Sequence, residues 1–417
     1  MHRSIHCSDN IPVAKDGARL QTEHSNRVLI VLPQPFYEDR GTSIALGHFL
    51  RALAELRYPV DVLCFEPGRD LELPGVRVIR TPNPFGFRDV PIGLSGKKLF
   101  LDLFLARALA RQLGRDRYLC VHAVEEAAFI AAALRRSHDA FVTYDMQSSL
   151  PEQLAQYRGF RSPSLQAVAH RLEAWLVRNV DLVICSAGLE DRVRSHAASA
   201  PLYSWRFPAE LDPPFAGDVA RLRQELRLPR GAKVVLYIGS FARYQGISVL
   251  AEAVPSVLGR VSDAIFLLVG AANGEEVESV TGSIPSHLAD RVRVRTRIAR
   301  DETPNYLALA DVLMSPRMHG DNLPLKAFDY LITAKPIVAS DIPAHRALFD
   351  ERVALLSPPT AEGFADAICQ VLQDGELSSD LESAARAFSE EHLIWDRFVD
   401  RVDEMMRDIS WRVRQSD

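Results

Sequence analysis

Residues 319–341 place two carboxylates, a proline and a lysine directly before a strand-like run. The segment reads HGDNLPLKAFDYLITAKPIVASD, and seven residues separate Asp321 from Asp329. The preceding run DVLMSP ends at Pro316, so we expect a turn at 320–322 and a helix that begins near Pro324, a favoured first-turn residue. Carboxylates accept hydrogen bonds from hydroxyl groups, and helix N-termini bind phosphate. The spacing therefore predicts a site for a phosphate group flanked by hydroxyls.

We interpret this segment as a site for a nucleotide-diphosphate sugar. Eight residues of helix rise by about 12 Å, near the separation of sugar and ribose in such a molecule. Asp321 would accept hydrogen bonds from the sugar hydroxyls, and Asp329 from those of the ribose. The diphosphate would lie beside Lys326 and over the backbone of four residues, Asn322, Leu323, Pro324 and Leu325.

Each charged side chain of the segment also has a purely structural explanation. Aspartate is a favoured helix N-cap, which would account for Asp321. Asp329 and Lys326 would then be solvated charges on a helix surface. We favour donor binding because the spacing, the preceding strand and the following run PIVASD fit one site, and such context is what a motif requires.

Short apolar runs predict the strands that position this segment. Six lie between RVLIVLP and DLVICSA, and five more between KVVLYIGS and PIVASD, with helical patterns between most of them. Apolar runs without alternation are typical of parallel sheets covered on both faces. We predict an α/β fold of two facing, doubly wound, Rossmann-like domains with a cleft between them, where the carboxyl ends of the strands converge.

Prolines in the stretch SWRFPAELDPPFAG mark the predicted boundary between the domains. We expect a flexible polar tail at 1–26, one domain at 27–205 and a second at 206–394. A helix at 395–417 would end the chain, and packing back on the N-terminal domain is one arrangement open to it.

Bulk composition excludes several classes of protein. The chain has 417 residues, a formal net charge of −5 and a pI near 6.2, which gives no support for nucleic-acid binding. No apolar run approaches the roughly 18 residues of a membrane span, and the first 26 residues lack the apolar core of a secretory signal. Five scattered cysteines lack metal-ligand spacing. We expect a cytoplasmic protein with reduced thiols.

Several cofactor motifs are absent from the sequence. Neither half carries Gly-x-Gly-x-x-Gly after its first strand, and there is no Walker loop, which argues against a dehydrogenase or a P-loop enzyme. Asp-x-Asp, the simplest carboxylate clamp for a metal-bound nucleotide sugar, does not occur either. We expect no cofactor and no metal.

The donor segment resembles the signature of the retaining family-4 glycosyltransferases of GT-B fold. In that family two glutamates separated by seven residues flank a turn and precede a Gly-Lys-Pro-Val-Val strand entry; here the acids are Asp321 and Asp329, and the entry is AKPIVAS. Three other stretches resemble the family in the same order, PQPFYEDRGTSIALGHFLRALAEL, LCVHAVEEAAFIAAAL and VVLYIGSFARYQGISVLAEAV. The resemblance covers most of the chain.

This resemblance implies metal-independent transfer, with retention, of a sugar from a nucleotide-diphosphate sugar to a hydroxyl of a cell-envelope glycan or lipid-linked saccharide. The N-terminal domain would bind the acceptor and the C-terminal domain the donor. His122 would approach the donor sugar, although a satisfied strand-end histidine is an equal alternative. Gly41 and Thr42 would meet the diphosphate or the acceptor, or simply form a turn. The resemblance makes Asp321, His122 and Lys326 the catalytic candidates.

One departure from the family concerns the diphosphate. The family carries arginine and lysine in a Gly-Arg-x-x-x-x-Lys-Gly run, where this chain has Ser240 and Gln245. Lys326, Arg317 and Arg243 are the candidates for the missing positive charge. The same departure leaves open a non-catalytic, glycosyltransferase-like binding subunit, and a nucleotide-sugar epimerase is a third hypothesis.

Residues 93–117 form a predicted helix with apolar residues on most sides and six basic residues. Such a helix suits peripheral contact with an anionic membrane surface. The alternative, which we favour, is a core helix with solvated charges.

Overall fold

A computed structural model describes the chain except for residues 1–25, 38–40, 70, 89, 91–94, 156, 197–200, 209–212, 297, 321–323, 350–351 and 417. The described part contains two parallel β-sheets with helices on both faces, which confirms the predicted fold class. The predicted tail lies almost wholly outside the described residues. The domain boundaries remain a prediction.

The N-terminal sheet has seven strands in the order β3-β2-β1-β4-β5-β6-β7. Its strands are β1 Val28–Pro35, β2 Val60–Phe65, β3 Val76–Arg80, β4 Cys120–Val124, β5 Val142–Met146, β6 Leu182–Ser186 and β7 Leu202–Trp205. Sequence analysis predicted the first six. The edge strand β7 was missed because Ser204 interrupts its short sequence LYSW, which therefore gives no distinctive apolar run.

The C-terminal sheet has six strands in the order β10-β9-β8-β11-β12-β13. Its strands are β8 Lys233–Ile238, β9 Ala264–Gly270, β10 Val292–Thr296, β11 Val312–Ser315, β12 Ile337–Ser340 and β13 Leu355–Ser357. The three-residue edge strand β13 was the one not predicted. In both sheets the chain order reverses beside the first strand, which places a crevice at the carboxyl ends of the strands.

Fifteen helices surround the sheets in the described part of the chain. They are α1 Gly41–Glu55, α2 Gly96–Leu113, α3 Ala127–His138, α4 Leu150–Ala155, α5 Pro163–Arg178, α6 Glu190–His196, α7 Ala216–Glu225, α8 Ile247–Arg260, α9 Gly274–Thr281, α10 Thr303–Leu309, α11 Lys326–Ile332, α12 Pro343–Arg346, α13 Ala361–Gln373, α14 Gly375–His392 and α15 Trp395–Ser416. None of the described helices is both long and apolar enough to cross a membrane.

Successive residues of the central strand β1 pack in two different hydrophobic clusters, one on each face of the sheet. On β1, Val28, Ile30 and Leu32 pack in one cluster, while Leu29 and Val31 pack in another with α2, α3 and α5. All five are fully buried. Successive strand side chains point to opposite faces, so a strand covered on both sides must be apolar throughout.

The final helix, α15, packs against the N-terminal domain. Trp395 donates a hydrogen bond from Nε1 to Glu55 of α1 at 2.8 Å, and Tyr203 of β7 donates to Asp408 at 3.3 Å. Phe398 is buried against Phe207 in the segment between the sheets. Because α15 follows the C-terminal sheet in sequence, these contacts tie the two halves of the molecule together.

Candidate active site

A cleft of about 890 Å³ lies between the two domains. Its walls include residues at or just after the carboxyl ends of six strands, namely Gln34, Glu125, Gln147, Ser186, Ser240 and Arg317. Loops and helix starts complete the lining. This is the position at which open parallel sheets bind ligands, and the volume suits a molecule larger than a single sugar.

Two cations of the C-terminal domain face the cleft. Arg317 follows β11, is buried, and donates from Nε to the carbonyl oxygen of His319 at 2.9 Å. Lys326 opens α11, donates to Gln245 Oε1 at 3.2 Å, and places Nζ 4.1 Å from the centre of the Tyr237 ring. The side chain of Gln245, neutral where the resembled family has lysine, therefore orients one of these cations.

Two glycines shape the backbone around these cations. Gly320 has φ +121°, and a Cβ there would overlap the guanidinium of Arg317. Gly246 has φ +72°, and a Cβ there would overlap the carbonyl oxygen of Pro316. Both backbone conformations are strained for other residues. Any larger residue at either position would displace Arg317 or the strand end that carries it.

Burial and like charge perturb the ionisable groups of this wall. Desolvation, aided by the charge of Arg317, lowers the pKa of Lys326 well below its ordinary value. Desolvation raises the pKa of Asp329 to about 6, against the opposing charge of Arg300. A bound anion would reverse the effect on Lys326 by stabilising its charged form.

The structure brings most of the predicted donor residues to the cleft. Its lining contains eight of them, Gly41, Thr42, Ser240, Gln245, Arg317, Pro324, Leu325 and Lys326. The side chains of Arg243, which is exposed on a short 3₁₀ turn, and of half-buried Asp329 are not part of the lining. Asp321, Asn322 and Leu323 lie outside the described residues, so their predicted roles remain predictions.

The helix after the turn begins at Lys326, two residues later than expected. The amide of Ala327 donates to the carbonyl of Pro324, and that of Phe328 to the carbonyl of Leu325. Pro324 and Leu325 therefore form the turn that leads into the helix. A diphosphate over this segment would meet the side chains of the turn as well as its amides.

His122 is buried inside the N-terminal domain and is not part of the cleft lining. Its Nδ1 lies 3.1 Å from Thr143 Oγ1 and its Nε2 3.3 Å from Asp145 Oδ2. The ring packs on Phe49 at 4.7 Å between centroids. Both ring nitrogens have partners, which is the arrangement of a satisfied strand-end histidine. The predicted approach of His122 to the donor sugar remains untested.

Sequence analysis missed the polar residues of the N-terminal wall. Glu125 follows β4 and accepts hydrogen bonds from Ser148 Oγ and Gln153 Nε2, both at 2.9 Å. Lys98 of α2 lines the cleft and forms an ion pair with Glu126. The run EE after CVHAV was the available local signal, although acidic residues there also suit a helix start, and Glu126 is the residue before α3.

Comparisons with known proteins agree with this geometry. Residues 40–201 match the family model "Glycosyl transferase 4-like domain", and residues 232–374 match "Glycosyl transferases group 1". A phosphatidyl-myo-inositol mannosyltransferase of Mycolicibacterium smegmatis is 28% identical over 152 residues, 36% of this chain and 38% of that protein. The match thus spans less than two fifths of that relative's length.

Solved structures with similar folds extend over nearly the whole chain. Sucrose-phosphate synthase from Thermosynechococcus elongatus has a TM-score of 0.75 at 20% identity, covering 92% of this chain and 98% of that one. HepE from Anabaena, in complex with UDP-glucose, has a TM-score of 0.71 at 16% identity, covering 92% and 99%. At these identities the likeness establishes the fold.

Proposed function

The chain belongs to the GT-B glycosyltransferases of the family-4 type, and on that basis we propose that it transfers a sugar from a nucleotide-diphosphate sugar to a hydroxyl acceptor. The observation that carries the proposal is the cleft between the sheets, in which Arg317 and Lys326 share one wall. A departing diphosphate requires preorganised positive charge in a site shielded from water. The HepE structure with UDP-glucose supports a nucleotide-sugar donor.

The transfer proceeds with retention and without a metal in this proposal. Arg317 and Lys326 stabilise the leaving diphosphate, and Asp321 holds the sugar hydroxyls. Asp329, whose side chain is not in the lining but follows Phe328 of the lining, would meet the ribose hydroxyls at the edge of the cleft. The acceptor hydroxyl enters from the N-terminal wall and gives its proton to the leaving phosphate. The C1–phosphate oxygen bond breaks as the new C1–oxygen bond forms, so charge and protons balance without a separate base. Closure of the domains would exclude water from the reacting atoms.

We further propose that the acceptor is a lipid-linked saccharide or other cell-envelope glycan. The outer side of α2 exposes Leu99 and Leu103, while Lys98 of the same helix lines the cleft. On the same side of the sheet, α5 exposes Leu165, Val168, Leu172 and Trp175. We call these six residues the outer apolar face. Exposed apolar side chains of this kind can form an interaction site, and the similarity to a phosphatidyl-myo-inositol mannosyltransferase supports a lipid partner.

Donor stabilisation and donor turnover, measured together, test the proposal. Purified protein is incubated in EDTA with uridine-, guanosine- and adenosine-diphosphate sugars, with and without cell-envelope lipid extract. We expect one nucleotide to raise the melting temperature most, since a ligand of the native state stabilises it in proportion to occupancy. The nucleotide sugar that contains this nucleotide should be hydrolysed slowly when it is alone. When lipid extract is present, its sugar should be transferred to the lipid.

Two outcomes would redirect the assignment. Stabilisation by a nucleotide without hydrolysis or transfer would favour the non-catalytic subunit suggested by Ser240 and Gln245. Conversion of the sugar without an acceptor would indicate an epimerase. If no nucleotide stabilises the protein, the donor site itself is wrong.

A further inference from the structure

Three side chains of metal-ligating type meet on the surface of the N-terminal domain. His170 and Glu173 lie on α5, and His196 is the last residue of α6. One ligand atom of each residue lies within 4.8 Å of those of the other two, and the described lining of the cleft contains none of the three. We propose that they hold a divalent transition-metal ion of the zinc type, which clamps α5 to α6. The ion is structural and lies outside the donor site, for which we expect no metal.

The helix period and the packing of two helices bring the ligands together. Residues three apart on a helix are neighbours on its surface, so His170 and Glu173 share one side of α5. The last turn of α6 places His196 Nε2 at 2.9 Å from Glu173 Oε1. Atoms bound to one zinc ion in a tetrahedron lie roughly 3.5 Å apart. His170 is exposed, so its ring can rotate toward the other two ligands without deforming the core.

The carboxylate of Glu173 is fixed in the orientation that a metal ligand needs. The residue is 1% exposed, although it belongs to a surface helix. Its Oε2 accepts a hydrogen bond from the amide of Leu150 at 2.7 Å, while Oε1 is directed at His196. Outer hydrogen bonds of this kind orient the carboxylates that bind metals. A buried carboxylate also requires nearby positive charge, which a bound ion would supply.

The surroundings of the three ligands select the kind of ion. Arg192 of α6 approaches Glu173 Oε1 at 3.7 Å, and Arg171 and Arg178 line the adjoining cavity. Mg²⁺ and Ca²⁺ require several oxygen ligands, but this group offers one carboxylate beside three arginines. Neutral imidazole suits zinc, copper and nickel. The two histidines therefore favour a transition metal over a hard cation.

A cavity of about 380 Å³ adjoins the group and leaves space for a further ligand. Its lining includes His170, His196 and Trp175. Three protein ligands leave the fourth position of a tetrahedral ion unfilled, and the cavity has room for a water molecule there. Because the indole of Trp175 lines the same cavity, its fluorescence can report on an ion bound to the histidines.

Calorimetric titration of metal ions into the full chain tests the site. The N-terminal stretch carries His6 and Cys7, which can bind zinc themselves, so the measurements use a His6→Ala, Cys7→Ser background. The protein is treated with EDTA, freed of it, and titrated with ZnCl₂, MgCl₂ or CaCl₂. We expect one zinc ion to bind per chain and to raise the melting temperature, since it stabilises the native state. Mg²⁺ and Ca²⁺ should do neither.

Matched variants show where the ion binds. His170→Ala removes an exposed ligand and should weaken zinc binding about 10–100-fold, because even the loss of an outer-shell partner costs that much. The melting temperature of the metal-free protein should stay the same. His287→Ala, which removes an exposed histidine of the C-terminal domain, is the control and should change neither. Co²⁺ should quench the tryptophan fluorescence, and Trp175→Phe should remove most of that quenching while zinc affinity is retained.

Three results would overturn the metal site. Zinc affinity unchanged in His170→Ala would place the ion elsewhere, and binding of Mg²⁺ or Ca²⁺ as tight as that of zinc would contradict the donor set. The absence of saturable zinc binding would leave Glu173 and His196 as a hydrogen-bonded pair only. Donor binding and sugar transfer are measured in EDTA, so the outcome of those experiments is independent of this site.

Discussion

Lys326 occupies a position that is unfavourable for a cation until an anion arrives. Burial and the nearby Arg317 both disfavour its charged form, so its pKa lies well below the ordinary value. A diphosphate between the two side chains would stabilise both charges. Gln245 and the Tyr237 ring hold Lys326 in place meanwhile. At the scale of single residues, the C-terminal wall is arranged for a ligand that carries negative charge.

Binding of a nucleoside diphosphate should therefore be accompanied by proton uptake at Lys326. The free lysine is largely neutral above its lowered pKa and becomes charged in the complex, so affinity falls as pH rises through that region. Isothermal titration of UDP, GDP and ADP in buffers of different ionisation enthalpy measures the uptake. Lys326→Met should abolish it and weaken binding about tenfold or more. Lys335→Met, three residues after α11 ends at Ile332, should change neither. Proton uptake that persists in Lys326→Met would contradict the assignment.

Asp329 should destabilise the nucleotide-free fold at neutral pH. Its pKa is raised from 3.8 to about 6, so the native state holds a proton that the unfolded chain releases, and stability falls as pH rises from about 4 to 6. Asp329→Asn should raise the unfolding free energy at pH 7.5 by about 1–2 kcal/mol and weaken sugar-nucleotide binding. Melting curves at pH 4 and 7.5 check the first effect, with Asp380→Asn on the exposed face of α14 as control. A stability gain of equal size at both pH values would show that the charge is not responsible.

At the scale of elements, α15 joins the two halves of the molecule. The helix follows the C-terminal sheet, yet Trp395 bonds to Glu55 of α1 and Asp408 accepts from Tyr203 of β7. Phe398 lies in an aromatic cluster with Phe207, which itself lines the cleft. Packing of this one helix therefore helps to set the width of the cleft.

Replacing Phe398 should have a large effect on stability. The side chain is 1% exposed, and truncating a buried phenylalanine to alanine costs about 3–5 kcal/mol. We expect Phe398→Ala to lower the urea midpoint strongly and to weaken donor binding. Trp411→Ala, which removes a 59% exposed side chain from the same helix, should change stability by less than about 0.5 kcal/mol. Equal effects of the two substitutions would mean that α15 does not depend on the aromatic cluster.

At the scale of the whole molecule, the cleft and the outer apolar face meet in the N-terminal domain. α2 contributes to both, since Lys98 lines the cleft and Leu99 is 56% exposed on the outer side. Arg107 and Arg111 continue the exposed side of the helix beyond Leu103. Apolar side chains followed by basic ones suit an anionic lipid surface. Sequence analysis favoured a core helix for 93–117, and Leu101, Leu105 and Leu109 of α2 are buried. Membrane contact through the exposed side of this helix stays a proposal; Gly93 and Leu94 lie outside the described residues.

Vesicle binding should depend on this face and on lipid charge. Leu99→Ser with Leu103→Ser should lower partitioning into phosphatidylglycerol vesicles about tenfold or more, because each buried leucine contributes roughly 1.5–3 kcal/mol. Neutral phosphatidylcholine vesicles should bind wild type weakly. Co-sedimentation measures both. Phe215→Ser, which removes a 70% exposed side chain from the segment between the sheets, is the matched control. Equal binding of the wild type to both kinds of vesicle would exclude the proposed membrane contact. Binding of the double variant to phosphatidylglycerol vesicles as strong as that of the wild type would exclude it too.

The sequence by itself determined the fold class and most of the donor wall. Both central sheets are covered on two faces, so each long strand appears as an uninterrupted apolar run that can be recognised locally. The segment around Lys326 was identifiable because its turn, helix and strand are contiguous in sequence. Three of the eight predicted residues in the cleft lining, Pro324, Leu325 and Lys326, belong to this segment, and the family resemblance supplied the other five.

Only the tertiary structure decided which side chains face the ligand from the other domain. Glu125 and Lys98 are 27 positions apart in sequence, and the left-handed backbone at Glu125 and the packing of α2 against α3 bring them to one wall. In the same way, tertiary packing directs the side chains of Arg243 and Asp329 away from the lining of the cleft, although both lie in stretches predicted to bind the donor. Side-chain direction at the end of a strand or the start of a helix depends on contacts made by distant parts of the chain, and no local pattern records those contacts.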